Sequence, residues 1–287
     1  MNSASTSVDS SLLLWFLAGL VYWLAAHVAL GALRDARREP TLAAMRRPLL
    51  VAGVALGAAL CTGFVVSLTS LGLRLMLGFR ADASLTLYVL AALCGVVIAA
   101  WVVLRPGLSG WLVGGLALAL LATGVQAGWL AAAGFRPGLP WSAKYVAAAG
   151  VLMAAGCTIA LQLAFSEGAT QGRLRLRWRL AASMLLALTW LGGQEVMIGG
   201  AALDTQVGSL YQQQLTAPLL SLVAGTLLPL LLLIAALDQA QWRRQRRHLE
   251  RHRAPATVAL RAAEETQPPA PGEPGTRRRR RYRMREI

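Results

Sequence analysis

Residues 180–203 read LAASMLLALTWLGGQEVMIGGAAL, with Glu195 as the single charge. A run this long and apolar crosses ~30 Å of hydrocarbon as a helix rising ~1.5 Å per residue. Working outward, comparable runs occupy 12–33, 49–71, 85–104, 111–133, 145–165 and 215–237. Arg80 and Asp82 follow the second run, Arg105-Pro106-Gly107 stops the third, and the breaker-rich GFRPGLP of 134–140 follows the fourth. The expected architecture is all-α: a seven-helix integral membrane domain over 1–240 and a basic tail over 241–287.

Composition agrees. Hydrophobic residues make up 56% of the 287 and charged residues only 14%, where a soluble domain carries about a quarter charged. Mean hydropathy is +0.53. The net charge of +15 is uneven: residues 238–287 hold 14 arginines against 6 acidic residues. Short loops that remain in the cytoplasm collect arginine and lysine. The loops after spans 1, 3 and 5 carry 10 such residues, including Arg34, Arg37, Arg38, Arg105 and Arg173, whereas the opposite loops carry 4, namely Arg74, Arg80, Arg136 and Lys144. This asymmetry predicts an external N-terminus and a cytoplasmic C-terminus, as an odd number of spans requires. The opening MNSASTSVDS lacks the basic segment of a secretory signal, so the first span reads as uncleaved. Cys61, Cys94 and Cys157 all fall in apolar runs without CxxC spacing and are expected to pack. Trp111, Trp141 and Trp178 fall at span ends, where indoles meet the interface; Trp15, Trp23 and Trp129 lie deeper.

Within the tail, QWRRQRRHLERHR at 241–253 reads as an extension of the seventh helix. Residues 254–276, rich in Ala, Pro, Glu and Thr, read as a disordered linker, and a final cluster begins at Arg277. Arg243, Arg244, Arg246, Arg247 and Arg277, Arg278, Arg279, Arg280 and Arg281 are candidates for anionic lipid headgroups, each contributing on the order of 1 kcal/mol near a charged surface. Nucleic acid is not an expected partner, because the basic charge is accounted for by topology and the tail has few aromatics.

Spans 2, 4 and 6 share a feature. Each carries glycine toward its expected outer end: Gly63-Phe64-Val65-Val66-Ser67-Leu68, Gly124-Val125-Gln126-Ala127-Gly128-Trp129 and Glu195-Val196-Met197-Ile198-Gly199-Gly200. Each is followed by a partner span, giving a helix-pair period of roughly 60–70 residues. Three such repeats would set the glycine segments around one pseudo-symmetric centre. On these residues the chain resembles the MHYT family of bacterial seven-helix membrane sensors over about residues 10–240. The resemblance implies an N-out topology, an inner-membrane location and coupling to a cyclic-dinucleotide enzyme or histidine kinase. It also implies a motif of Met, His, Tyr, Thr and Gly at the outer ends of helices 2, 4 and 6, with metal bound by the His and Met. Here Phe64, Val125 and Val196 stand at the His positions and Gly63, Gly124 and Glu195 at the Met positions. A metal needs imidazole, thioether, thiolate or carboxylate donors, so no metal ligand carries over and no cofactor is expected.

No residue set suggests catalysis: there is no P-loop, no HExxH and no Ser/His/Asp set, and the chain reads as a non-enzyme. The candidate ligand or ion residues are Glu195, its neighbour Gln194, and Gln126, since ionisable and amide groups inside a span are rare and often functional. Against this, Glu195 could simply bond between helices or meet an external vestibule. His27 stands alone on the first span, and His248 and His252, at i and i+4, sit among arginines that oppose a cation. The expected function is a sensor-like or accessory signalling component without its own output domain, working through a membrane enzyme in trans. A small transporter subunit with a polar path through Glu195 and Gln126, or a vestigial scaffold, are the competing readings.

Overall fold

The computed structural model describes residues 3–70, 78–136, 142–165, 174–200, 208–211 and 215–266. Among these residues there are seven helices: α1 (Ser3–Ala36), α2 (Leu42–Ser70), α3 (Ala81–Leu104), α4 (Leu108–Ala133), α5 (Ala143–Phe165), α6 (Leu174–Gly199) and α7 (Ala217–Thr266). All seven are long and apolar enough to cross a membrane. The chain divides into two units, Met1–Leu237 and Asp238–Ile287.

Within the first unit, packing runs in sequence from α1 to α6 and closes where α6 meets α1. Small residues permit the close crossings. A Cβ on Gly53 would strike the backbone of Val96, and one on Gly95 would strike the Gly53 carbonyl, so α2 and α3 touch backbone to backbone. The centre of this unit changes helix with depth. Val28–Leu33 of α1 are all buried, and so are Ala59–Leu68 of α2. Each stretch exceeds a full turn, so each helix is enclosed on every side over that length. Elsewhere one face of each helix is exposed, as expected where lipid is the solvent.

The expected threefold arrangement of α2, α4 and α6 receives no support from the packing. α2 touches α4 and accepts one hydrogen bond from Gln194 of α6, but α6 packs chiefly on α1 and α5. α7 touches the ring sparsely, through Ser221, whose hydroxyl bonds the Val65 carbonyl at 3.3 Å and lies 3.1 Å from Thr69 Oγ1, and through Gly225 against Leu17 and Val66.

The two ends of the first unit are closed differently. At one end, four short strands, β1 (Gly78–Phe79), β2 (Phe135–Arg136), β3 (Gly208–Ser209) and β4 (Leu215–Thr216), form two antiparallel ribbons. β1 pairs with β4 and β2 with β3, which ties together the connections after α2, α4 and α6. Ser209 Oγ lies 2.9 Å from the Gly78 carbonyl and 2.7 Å from the Ala133 carbonyl, and it accepts from the Gly78 and Tyr211 N–H groups. α4 ends on Gly134 in the left-handed region (φ 58°), where a Cβ would also meet the Tyr211 ring. Arg80 donates to both oxygens of Asp82, which raises the arginine pKa; both side chains are exposed, so the pair adds little stability.

At the other end, α1 supplies the closure. Arg34 donates to the Ala164 carbonyl in the last turn of α5. Arg37 donates to the Val102 carbonyl in the last turn of α3 at 2.7 Å and stacks over the Phe165 ring at 3.7 Å. Last-turn carbonyls lack an intrahelical donor and carry the negative end of the helix dipole, so both arginines meet acceptors the helices cannot satisfy themselves. Burial pulls the Arg37 pKa below its usual value.

Several expectations need correction. α2 begins at Leu42 rather than 49, and so includes Arg46, Arg47 and Pro48. α6 begins at Leu174 and ends at Gly199; residues 201–203 lie outside the described ones. Residues 254–266, read as linker, continue α7 as helix, and 267–276 lie outside the described residues. Cys61 and Cys157 are buried, but Cys94 is exposed on the outward face of α3 rather than packed. Trp129 is buried and Trp178 exposed as expected; Trp141 lies outside the described residues.

Candidate functional site

A polar cluster forms where α1, α2 and α6 meet, in the half of the unit nearer the ribbons. Gln194 is fully buried. The Tyr22 hydroxyl of α1 donates to its Oε1 at 3.0 Å, and its own Nε2 donates to the Phe64 carbonyl of α2 at 3.3 Å. One side chain therefore joins three helices, and both ends of its amide are satisfied. Tyr22 can occupy its place because position 63 is glycine: a Cβ there would lie 2.3 Å from the Tyr22 ring. The ring also packs against Trp190 with centroids 5.7 Å apart and planes at 61°, an edge-to-face contact of the favourable kind.

Glu195 follows directly on α6. It is half-buried, and its Oε1 accepts from the Trp15 indole N–H of α1 at 3.2 Å. It lies four residues before the end of α6, or about 6 Å along the axis. It makes no ion pair with a described residue. A carboxylate in this position, partly exposed and held by a single neutral donor, can take up a proton or a cation without first breaking a salt bridge.

Gln126 does not join this cluster. It is buried on α4, and its Oε1 has no hydrogen-bond partner among the described residues. With α5 packed on both α4 and α6, the structure brings Glu195 and Gln194 together and leaves Gln126 apart. A second small cluster on the α2–α3–α4 side pairs Thr62 Oγ1 with the Tyr88 hydroxyl at 2.9 Å, with Tyr88 and Phe79 each edge-on to Trp129. His27, expected to stand alone, meets Arg179 of α6 through Nε2 and lies beside Trp23.

Among the described residues, no group of three or more His, Cys, Asp or Glu could hold a metal ion. Of the tail candidates, Arg244 is exposed on α7. Arg243, Arg246 and Arg247 belong to the same helix, but their side chains lie outside the described set, as do those of His248 and His252; Arg277–Arg281 lie wholly outside it. No protein-family model, curated protein or solved structure matches the chain.

Sequence reading singled out Gln194 and Glu195 but missed Trp15 and Tyr22. Aromatic residues on an apolar helix are the commonest kind of packing residue, so nothing in the first span marked these two. The one available signal was Gly63, a gap in α2 of the size a ring needs.

Proposed function

We propose that this chain is a non-enzymatic, multi-pass protein of a bacterial inner membrane, oriented with its N-terminus outside and acting as a sensor-like or accessory signalling component. Its output would lie in a separate membrane enzyme, and its basic tail, including Arg243–Arg247 and Arg277–Arg281, would hold anionic headgroups on the cytoplasmic side. The observation that carries the reading is the double attachment of α1. Near one end α1 gives Trp15 to Glu195; at the other it gives Arg34 and Arg37 to the last turns of α5 and α3. A proton or cation arriving at Glu195 changes what Trp15 is bonded to, and α1 links that change to the far ends of two other helices. Such a signal shifts the protein only if the two arrangements bind it unequally.

The transport reading draws no support from Gln126, whose side chain shares no hydrogen bond with Glu195. A purely scaffolding role makes a different prediction, that Glu195 can be neutralised without consequence.

The test is purification of the full chain in mild detergent, with mass spectrometry of what accompanies it, for the native protein and for Glu195→Gln. A kinase or cyclic-dinucleotide enzyme that co-purifies, with activity altered by Glu195→Gln, is the expected result. Transport subunits in its place, or an enzyme indifferent to the substitution, would sink the proposal.

A further inference from the structure

Among the arginines at the end of the first unit opposite the ribbons, where Arg179 meets His27, two further sets stand out. Arg34 and Arg37 turn inward onto carbonyls. Arg46, Arg105 and Arg177 are exposed and form no ion pair with any described residue. The acidic residues described at this end, Asp35 and Glu39, are buried at 6% and 4% exposure, so they offer no surface countercharge.

The surroundings of the three exposed arginines follow one pattern. On α2, Leu42, Arg46, Leu50 and Val54 recur every four residues and therefore share a face; all are exposed. On α3, the exposed Leu93, Val97 and Trp101 lead by the same spacing to Arg105, which follows the helix, keeps its N–H on the Trp101 carbonyl and lies 5.6 Å from the Trp101 ring. On α6, Arg177 opens a stripe of exposed Leu180, Met184 and Leu188. Arg105 and Arg177 thus end the apolar outward stripes of their spans, and Arg46 stands one turn from the start of its own, between Leu42 and Leu50. That is the level of the phosphate groups, which a guanidinium reaches by extending along its own helix and can grip with two parallel hydrogen bonds. A soluble macromolecule would have to approach side-on through lipid to use these faces.

We propose that Arg46, Arg105 and Arg177 form a collar that selects anionic phospholipids from the surrounding bilayer. With no exposed acidic residue among those described at this end of the unit, the collar has little to attract the cationic part of a zwitterionic headgroup, so its preference is for lipids of net negative charge. The inference is independent of the signalling role proposed above.

The experiment uses the full chain reconstituted in bilayers of phosphatidylcholine with a minor fraction of spin-labelled phosphatidylglycerol or phosphatidylcholine, reading the relative association of each labelled lipid with the protein. The basic tail is common to every sample, so its contribution cancels between variants. Wild type is expected to prefer phosphatidylglycerol, and the triple variant R46Q/R105Q/R177Q to lose about fivefold of that preference per arginine at the sites affected. The triple lysine variant should retain most of it, and added inorganic phosphate should leave it unchanged. Circular dichroism confirms that each variant is helical, and the single glutamine variants carry the test if the triple variant does not fold. An undiminished preference in folded glutamine variants overturns the collar and reduces the three arginines to topology signals. Displacement by free phosphate overturns it in favour of a soluble anion.

Discussion

Gln194 and Gln126 are the same residue type, both buried, and their deletion should have opposite consequences. Removing one partner of a satisfied buried pair exposes the other to the full desolvation cost, whereas removing an unpartnered polar atom does not. Gln194→Met leaves the Tyr22 hydroxyl unpaired and should lower stability by about 1–3 kcal/mol, whereas Gln126→Met should leave it unchanged or raise it. Thermal unfolding in detergent distinguishes the two, and equal losses would mean that the Gln126 amide has a partner after all. Gly63→Ala tests the same cluster from the α2 side: its methyl group meets the Tyr22 ring, for an expected loss of about 1–3 kcal/mol by overpacking. A neutral result would show that the ring moves aside freely. Glu195 and Gln194 were legible in the sequence because amides and carboxylates are scarce within spans. Their partners were not, because a bond between residues 22 and 194 depends on how α1 and α6 register against each other, which neither span encodes alone.

At the level of elements, the spans were legible because lipid demands long apolar helices, but their ends were not. α2 extends back to Leu42 because arginine is a good helix former and because Thr41 accepts the Ala44 N–H at 3.3 Å, an N-terminal capping contact. Charge marks where hydrocarbon ends; it does not mark where a helix ends. The same distinction explains α7. Residues 254–266 read APATVALRAAEET, and an alanine-rich segment favours helix despite its proline, whereas composition alone suggested linker. The ribbons were invisible for another reason: two-residue strands carry no periodicity. Their joint dependence on Ser209 is testable. Ser209→Ala should speed amide hydrogen exchange at Gly78 and Tyr211 by on the order of tenfold, consistent with the loss of about 1–1.5 kcal/mol of local hydrogen bonding. Unchanged exchange would show that strand pairing alone holds the cap.

For the first unit as a whole, the closed order α1 to α6 places sequence neighbours beside one another, so most of the packing is between consecutive helices. The exceptions include the closure of α6 on α1, the contact of α2 with α4, the Gln194–Phe64 bond from α6 to α2, the two ribbons, and the reach of Arg34 and Arg37 to α5 and α3. Substituting both arginines with glutamine should therefore loosen α3 and α5 at that end while leaving the α1–α2 contact intact. Amide exchange near Val102 and Ala164 reads the first effect. A disulfide engineered across α1 and α2 reads the second, and its failure to form in the double variant would mean the arginines hold α1 itself in place.

The two fully enclosed stretches, Val28–Leu33 of α1 and Ala59–Leu68 of α2, also leave the ribosome before α3 to α6. The heart of the bundle is made before its walls. Until α3 to α6 arrive, those surfaces must rest against acyl chains or against the insertion machinery, and their composition suits that wait: α1 offers alanine, valine, leucine and Gly31 there, and α2 only Thr62 and Ser67 as polar side chains. Later helices then wrap a pair already in place, which makes biogenesis a process of cladding. Cross-linking on stalled nascent chains should find α1 and α2 in contact when synthesis has reached no further than α3; contact that waits for α6 would reverse the order.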